Sequence, residues 1–407
     1  MSKFLTLGLL SAGLLLAACS SAPQPVADEV ATPALADARI EPISQAGESA
    51  HAWKHEKELQ AAIQWLVKNQ NKDGSWGGPV PQRPNDIYLG GLNSLKGFGN
   101  ASVALCCIGL AMQQPSTPEI DNALVKGFAY LADAPIAGRV KGDTFYNTWA
   151  HTYVLEAISR NIEDKRLASM RGKLKARAED ELRRLLRLQA LNGGWAYYDF
   201  DFKTAVPSGD LSTSFNAGAA LVALKTAKDA GFNVPDEAIE RGTLFLRSQR
   251  IGDAAYLYSD SHKYYPVGRA NQPQGSIGRA QSCNCGLAVW GKLPSHATVE
   301  AGMAEFFRLH HFIEIGRQRQ FPHEAWYGTA PYYYYFGHYY AALNLGLYAK
   351  REQREADAAN LAARVAKTQD KDGCFWDYPL YGYPKAYGTG YGVAILTHCK
   401  RNLESKP

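Results

Sequence analysis

The chain has 407 residues, of which 46% are hydrophobic and 20% charged, with 44 Lys and Arg against 39 Asp and Glu. This composition excludes an intrinsically disordered chain, and the formal net charge of +5 is too small and too widely spread to indicate a nucleic-acid-binding protein. The densest basic run, from Lys165 to Arg187, alternates with Glu and Asp from residue 179 onward and is interpreted as a solvated helix face.

The N-terminal segment has the features of a bacterial lipoprotein signal. Lys3 precedes an apolar run over residues 4–18, which is too short for a permanent transmembrane helix. The run ends in Leu-Ala-Ala-Cys at residues 16–19, which resembles a lipobox. Cleavage before Cys19 and acylation of its thiol would anchor the protein in the cell envelope, and Ser20 in place of an Asp favours the outer membrane. The alternative is an ordinary secretory signal with a chance cysteine.

Three regions follow from this pattern. Residues 1–18 are predicted to be the signal peptide. Residues 19–50 are rich in Ala, Pro, Ser and Glu and predict a flexible tether. Residues 51–403 are predicted to form one folded domain.

One motif recurs along the folded region: an amphipathic helix, a Gln, an Asp-Gly or Asn-Gly turn, and an aromatic residue. Glycine ends each helix because it adopts a left-handed backbone at little cost. The clear copies run from Gln70 to Trp76, Gln189 to Trp195 and Gln369 to Trp376, and a weaker copy runs from Gln249 to Tyr256. Repetition of this kind predicts an architecture of repeated helical units.

These copies resemble the Gln/Trp repeats of squalene-hopene cyclases and the related repeats of protein prenyltransferase β subunits. The resemblance covers most of the chain after about residue 50. It implies an all-α (α/α)6 toroid, in which six helical hairpins form an inner and an outer ring. In such a ring each Gln is expected to bond the turn backbone, and Trp76, Trp195 and Trp376 are expected to be buried between neighbouring outer helices.

The apolar periodicity after residue 50 predicts charged, amphipathic outer helices that alternate with inner helices rich in small residues. Small residues allow the inner helices to approach closely. The predicted pairs are Leu59–Gln70 with Ala101–Met112, Ile120–Ala132 with Thr148–Arg160, Leu167–Ala190 with Thr213–Ala230, Asp236–Arg250 with Gly278–Gly291, Thr298–Ile315 with Tyr335–Lys350, and Ala356–Gln369 with Thr389–Asn402.

Six cysteines remain in the folded region. An even number in an oxidising compartment is compatible with disulfides, but the predicted positions on separate helices favour buried free thiols. These cysteines are Cys106, Cys107, Cys283, Cys285, Cys374 and Cys399.

The connections that lead into the inner helices are rich in tyrosine. In a toroid these connections share one face, so they predict a cavity mouth with aromatic walls, suited to an apolar, sugar-like or cationic ligand. Alternatively, the tyrosines only pack the long loops over the ring. The candidate ligand-binding residues are Tyr146, Trp149, Tyr198, Tyr335, Tyr339, Tyr387 and Tyr391.

Four residues near these connections are candidate catalytic groups: Asp199, Asp201, His151 and His338. Asp199 and Asp201 are two residues apart, so in an extended segment both carboxylates face the same way and could perform acid–base chemistry or hold a divalent cation. Solvated or structural carboxylates are the alternative. In a closed ring these four residues and Tyr391 are expected to lie around one cavity.

The catalytic motifs of the resembling families are incomplete. Class II cyclases protonate their substrate through Asp-x-Asp-Asp, and the nearest sequence is Asp-Phe-Asp-Phe at residues 199–202. Prenyltransferases bind zinc with an Asp-x-Cys pair and a later His, a set imitated by Asp372, Cys374 and His398. Because the first two residues already belong to a repeat turn, no metal site is predicted.

The third hairpin also resembles part of the α/α-toroid pectate lyases, through residues 189–195 and 214–219. Those enzymes use calcium and an Arg base on acidic glycans outside the cytoplasm. The candidate Arg residues here are Arg269 and Arg279.

The sequence therefore favours an envelope lipoprotein that binds a lipid, glycan or peptide without cyclase chemistry. The alternatives are an extracytoplasmic, calcium-dependent polysaccharide enzyme or a degenerate prenyltransferase or terpene cyclase. The predicted partners are the membrane, through the N-terminal lipid, and a small-molecule or glycan ligand.

Overall fold

Helices alternate along the chain in the computed structural model, which describes residues 51–81, 94–138, 146–197, 211–293, 295–321, 323 and 328–404. A short hairpin of β1 (Arg250–Gly252) and β2 (Ala255–Tyr256) interrupts them. The helices are α1 (Glu56–Lys68), α2 (Leu95–Ala111), α3 (Pro118–Asp133), α4 (Asn147–Asn161), α5 (Arg171–Arg187), α6 (Ser214–Asp229), α7 (Asp236–Ser248), α8 (Pro273–Ala288), α9 (His296–Arg308), α10 (His310–Gly316), α11 (Tyr333–Asn344), α12 (Arg351–Ala366) and α13 (Pro384–Glu404).

The helices form two concentric rings. The inner ring consists of α2, α4, α6, α8, α11 and α13, in which each helix contacts the next and α13 returns to α2. The outer ring consists of α1, α3, α5, α7, α9 with α10, and α12. The fold is an all-α (α/α)6 toroid, as the sequence predicts. Helix α1 packs on α13, so the two ends of the described domain close the ring.

Close contact between inner helices depends on glycine. A Cβ atom on Gly218 of α6 would lie 2.5 Å from the carbonyl oxygen of Ser282 in α8. One on Gly390 of α13 would lie 2.7 Å from the backbone nitrogen of Cys106 in α2. Both distances are shorter than van der Waals contact, so only glycine lets these backbones meet.

The Gln of each of the three clear repeat copies joins two outer helices. The Gln70 side-chain amide donates to the carbonyl of Gly74 in its own turn, at 3.0 Å, and to that of Ala123 in α3, at 2.8 Å. The predicted turn bond is confirmed, and the bond to the next outer helix is an addition. The other copies repeat both bonds, from Gln189 to Gly193 and Ala238 and from Gln369 to Gly373 and Glu58.

The predicted burial of the repeat tryptophans is confirmed for two of three. Trp76 and Trp195 are buried, and their indole N–H groups donate to the Leu66 and Leu185 carbonyls at 2.8 Å. Their rings lie against Gly127 of α3 and Gly242 of α7, the next outer helices.

The prediction for Trp376 is wrong. This residue is half-buried, and its indole donates to Asp370 at 2.8 Å. Phe375, two residues after Gly373, occupies the buried position that Trp76 holds two residues after Gly74. In the weakest copy, Tyr256 is buried and donates to Asn284.

Several predicted helix bounds also differ from the structure. The fifth outer helix is divided at Leu309 into α9 and α10, and the fifth inner helix ends at Asn344 rather than Lys350. The fourth inner helix begins five residues early, because Pro273 suits the first helical position, where its missing N–H leaves no bond unmade.

All six cysteines of the described region are buried and unpaired, as predicted. Burial raises the pKa of each of these thiols well above its ordinary value. Among the described helices, none is both long and apolar enough to cross a membrane.

Candidate functional site

A small aromatic cleft, with about 20 Å³ of free space between its walls, opens at the face where the inner helices begin. Its accessible surface is apolar throughout. The lining residues come from the start of α2, the start of α4, the start of α11 and the connection into α13. They are Phe98, Tyr146, Trp149, Tyr332, Tyr378, Leu380 and Tyr387.

Ring-to-ring packing holds these walls in place. The Phe98 ring centre lies 5.5 Å from that of Tyr146, and Trp149 lies 6.0 Å from Tyr332, which in turn lies 5.6 Å from Tyr378. Tyr146 directly precedes α4 with φ of 60°. Left-handed backbone is unfavourable for a bulky residue, so the surrounding contacts must hold Tyr146 in this position.

Three of the polar side chains in the cleft walls are hydrogen-bonded inside the protein. The Trp149 indole donates to Asn216 at 2.8 Å, and the Tyr387 hydroxyl donates to Asp377 at 2.7 Å. The Tyr332 hydroxyl shares a hydrogen bond of 3.0 Å with that of Tyr197. A ligand in the cleft therefore meets ring faces and aliphatic groups.

Asp377 lies behind the cleft wall and is fully buried. Burial raises its pKa to about 6, although hydrogen bonds from the Tyr387 hydroxyl and the Tyr335 amide favour the charged form. The sequence analysis missed this residue because Asp377 directly follows a repeat turn and has no motif of its own.

Below the cleft, aromatic side chains fill the ring axis around one ion pair. Tyr391 donates to Tyr153 at 2.5 Å, and Tyr339 donates to Glu156 at 2.6 Å. Glu156 also pairs with Arg160 at 2.8 Å. Tyr339 and Tyr391 are thus part of the buried interior and do not line the cleft.

Of the predicted ligand-binding residues, Tyr146, Trp149 and Tyr387 line the cleft. Tyr335 is buried beside it, where its hydroxyl meets that of Thr368 at 2.8 Å. Tyr198, Asp199, Asp201 and Cys19 lie outside the described residues, so their assigned roles stay predictions.

The two candidate histidines face the outer ring, contrary to the expectation that they share one cavity. His151 is buried against Glu181 of α5, which also accepts from Arg177 at 2.7 Å. The bonded partner of this imidazole therefore comes from an outer helix.

His338 is buried between α11 and α9–α10. Its Nδ1 lies 2.6 Å from the Tyr334 carbonyl, so this nitrogen carries the proton and Nε2 accepts from His310 at 2.9 Å. Burial lowers the pKa of His338 well below its ordinary value and that of His310 to about 3. Both rings are therefore neutral and hold the two helix layers together.

The two candidate arginines have different environments. Arg269 is exposed. Arg279 is buried, with its guanidinium 5.1 Å from the Tyr258 ring centre and 5.8 Å from that of Tyr333, and it donates to the Ala270 carbonyl. A charged, carbonyl-bound guanidinium is a poor general base.

The prenyltransferase-like zinc set is not assembled. Asp370, Asp372 and Cys374 place ligand atoms within 4.8 Å of one another, but Trp376 and Lys385 already bond the two carboxylates. His398 lies 13 residues beyond Lys385 on the same helix, roughly 20 Å away at ~1.5 Å per residue.

Asp372 instead forms the repeat turn. Its side chain accepts from the Cys374 amide, as Asp73 accepts from Ser75 and Asn192 from Gly194. Burial alone would raise the pKa of Asp372, but these bonds and Lys385 outweigh it and lower the pKa to about 2. The closed ring, the repeat turns and the aromatic cleft together define an α/α toroid of terpenoid cyclase-like architecture with an aromatic mouth.

The chain is similar to solved structures from two classes of enzyme. The type II terpene cyclase MstE from Scytonema is 14% identical, with a TM-score of 0.47 over 84% of this chain and 97% of that one. The α-1,6-mannanase of Salegentibacter sp. HEL1_6 is 10% identical, with a TM-score of 0.50 over 86% of this chain and 100% of that one. At these identities the similarity establishes the fold alone. No family model and no curated protein matches the sequence.

Proposed function

We propose that this protein is a lipid-anchored toroid of the bacterial cell envelope that binds an apolar chain, acyl or isoprenoid, in its aromatic cleft without cyclase chemistry. One observation supports this most directly: the cleft exposes only apolar surface, and the Trp149 indole and the Tyr387 hydroxyl on its walls are bonded inward. Burial of apolar surface contributes about 25 cal/mol per Å².

An apolar ligand fits the cleft better than a glycan does. Sugar rings stack on aromatic faces, but their hydroxyl groups lose hydrogen bonds to water and need protein partners in return. The lining of this cleft offers none. The free space between its walls is about 20 Å³, far below that of a pocket for a whole small molecule, so only the end of one narrow chain enters it.

The sequence and the packing support the proposed lack of cyclase chemistry. No Asp-x-Asp-Asp motif is present in the chain. Among the described residues, the rings of Tyr153, Tyr339 and Tyr391 pack against one another in the interior beneath the cleft.

The cleft is tested by titrating the mature chain with a fluorescent fatty acid. Trp149→Ala removes one wall, and loss of a large aromatic contact of ~1.5–3 kcal/mol predicts about 10- to 100-fold weaker binding. Tyr335→Phe, which changes a buried residue outside the cleft, is the matched control and should bind like wild type. Melting curves recorded for both variants separate lost binding from lost folding. Undiminished binding by a folded Trp149→Ala would refute the proposal.

The anchor is tested separately. Cys19→Ala should leave the protein unlabelled by a fatty-acid probe and absent from the membrane fraction, because no thiol remains for acylation. Persistent labelling of Cys19→Ala would show that the lipid is attached elsewhere.

A glycan-active enzyme is the second candidate, favoured by the toroid shared with the mannanase. In mannanase variants described as inactive, two consecutive aspartates are replaced, and this chain has no two consecutive aspartates. Asp199 and Asp201 remain the proposed acids or calcium ligands. Incubation with α-1,6-mannan and with acidic polysaccharides, followed by reducing ends and by unsaturated uronate absorbance, tests this candidate. Asp199→Asn with Asp201→Asn should abolish any activity found.

A further inference from the structure

Exposed large apolar side chains are concentrated on one rim of the toroid. Ten such residues occur in the described part of the chain, and nine lie at or just before the connections from an outer to an inner helix. These nine are Val80, Leu191, Leu211, Ile251, Tyr264, Tyr265, Val267, Ile315 and Phe321. The tenth, Leu244, lies on the outer wall in α7.

These connections share one rim, here called the mouth rim. Backbone hydrogen bonds join neighbouring connections: Gly382 to Gly78, Asp260 to Ser212, and Gln318 to Asp377. The turns of the opposite rim, at residues 112–117, 162–170, 230–235, 289–293 and 345–350, carry none of the ten. The asymmetry therefore belongs to a whole face of the ring and not to a single loop.

The most exposed part of the mouth rim is the connection between β2 and α8. Tyr264 is 83% exposed, Tyr265 65% and Val267 67%. Lys263 lies beside them, with its ammonium 5.3 Å from the Tyr264 ring centre. Tyrosine and lysine next to apolar residues are typical of segments at the membrane–water interface, where the ring is half-immersed and the charge reaches the headgroups.

We infer that the mouth rim rests directly on a lipid bilayer, with Tyr264, Tyr265 and Val267 in the interfacial layer. This contact is additional to the predicted acyl anchor at Cys19. The predicted tether over residues 19–50 would have a root-mean-square length of roughly 31 Å, at about 5.5 Å times the square root of residue number. The tether therefore holds the ring against the membrane surface at high effective concentration.

A bilayer explains this surface better than a protein partner does. The nine apolar residues come from four different connections around the mouth, and a planar, fluid surface can contact all of them at once. The aromatic cleft opens on the same rim, so a ring docked in this way would face the bilayer with its apolar cleft. The inference does not require that the cleft binds a lipid.

The test places an environment-sensitive NBD fluorophore on single engineered cysteines of the full, acylated chain. The six native cysteines of the described region are buried and should not label in the folded protein, which the unsubstituted chain checks. Tyr264→Cys places the probe on the mouth rim. Asn233→Cys, at an exposed position of the opposite rim, is the matched control, and both proteins carry the same anchor.

Vesicles of phosphatidylethanolamine and phosphatidylglycerol are then added. The inference predicts a blue shift and at least twofold quenching by nitroxide-labelled lipid at position 264, with neither at position 233. Equal, water-like emission at both positions would overturn it, as would equal quenching at both. The Tyr264→Cys protein with Tyr265→Ser and Val267→Ser added should keep its melting temperature and fatty-acid affinity, but its NBD probe should lose protection from water-soluble quenchers. Retained protection in that folded variant would also overturn the inference.

Discussion

At the scale of single residues, Asp377 shows how burial and hydrogen bonding compete. Its carboxylate accepts from the Tyr387 hydroxyl and the Tyr335 amide, and both bonds favour the charged form. Complete burial nonetheless wins and raises the pKa from 3.8 to about 6. Tyr387 in the cleft wall is thus hydrogen-bonded to a carboxyl group whose pKa is about 6.

This shift predicts a pH dependence of stability. Because the folded pKa lies above the unfolded value, the contribution of Asp377 is complete below pH 3.8 and is lost as the pH rises through about 6. The shift of about two pKa units corresponds to about 3 kcal/mol of unfolding free energy. Urea unfolding at intervals from pH 4 to pH 8 should show this decline, and Asp377→Asn should remove it.

Asp372→Asn provides the control, since the pKa of Asp372 is lowered to about 2 and its contribution is lost only as the pH falls below the unfolded value of 3.8. The decline between pH 4 and pH 8 should therefore persist in Asp372→Asn. If Asp377→Asn retained the full decline, the buried carboxyl would not be its cause.

At the scale of elements, the repeat Gln couples neighbouring outer helices through two carbonyl groups. Gln189→Ala leaves the carbonyls of Gly193 and Ala238 without their donor in a buried setting, which costs about 1–3 kcal/mol per unsatisfied group. Gln249→Ala is the matched control, because the Gln249 amide bonds Ser248 and Asp260 and no neighbouring helix. Chemical unfolding should show the larger loss for Gln189→Ala; equal losses would argue against the coupling.

The sequence predicts this level of structure well, because the repeat carries its own geometry. A Gln at a helix end, an Asp-Gly turn and an aromatic two residues later fix the turn bond and the burial of Trp76 and Trp195. The third copy misled the prediction, since Phe375 and Trp376 are adjacent aromatics and only backbone spacing decides which one enters the core.

The cleft was only partly predictable. Tyr146, Trp149 and Tyr387 lie before or in the first turns of inner helices, where a toroid gathers its connections. Phe98 lies in a helix and has no polar signature, so the sequence does not single it out. His151 and His338 were misplaced because the rotation of an inner helix decides whether a side chain faces the cleft or the outer ring.

At the scale of the whole molecule, ring closure distinguishes this toroid from an open repeat array. Helix α1 meets the last outer helix through the bond from Gln369 to Glu58 and through the close approach of Gly373 to Ala61. In an open array the terminal repeats have one neighbour and unfold first. In this ring α1 has a neighbour on each side, α3 and the C-terminal end of α12.

Closure predicts that α1 is as well protected from hydrogen exchange as α3 is, although α1 is the first helix of the domain. Gly373→Ala should open this seam, because its φ is +91° and a Cβ would lie 2.8 Å from the Ala61 carbonyl oxygen. Mass-spectrometric exchange should then show α1 and α12 losing protection before α3 does.

Gly172→Ala is the control, because a Cβ there has nothing within 4 Å. This change should leave the free energy of unfolding unchanged or raise it by up to ~1 kcal/mol. Early exchange of α1 in the unsubstituted chain would mean that the seam is weak and that the toroid behaves as an open array.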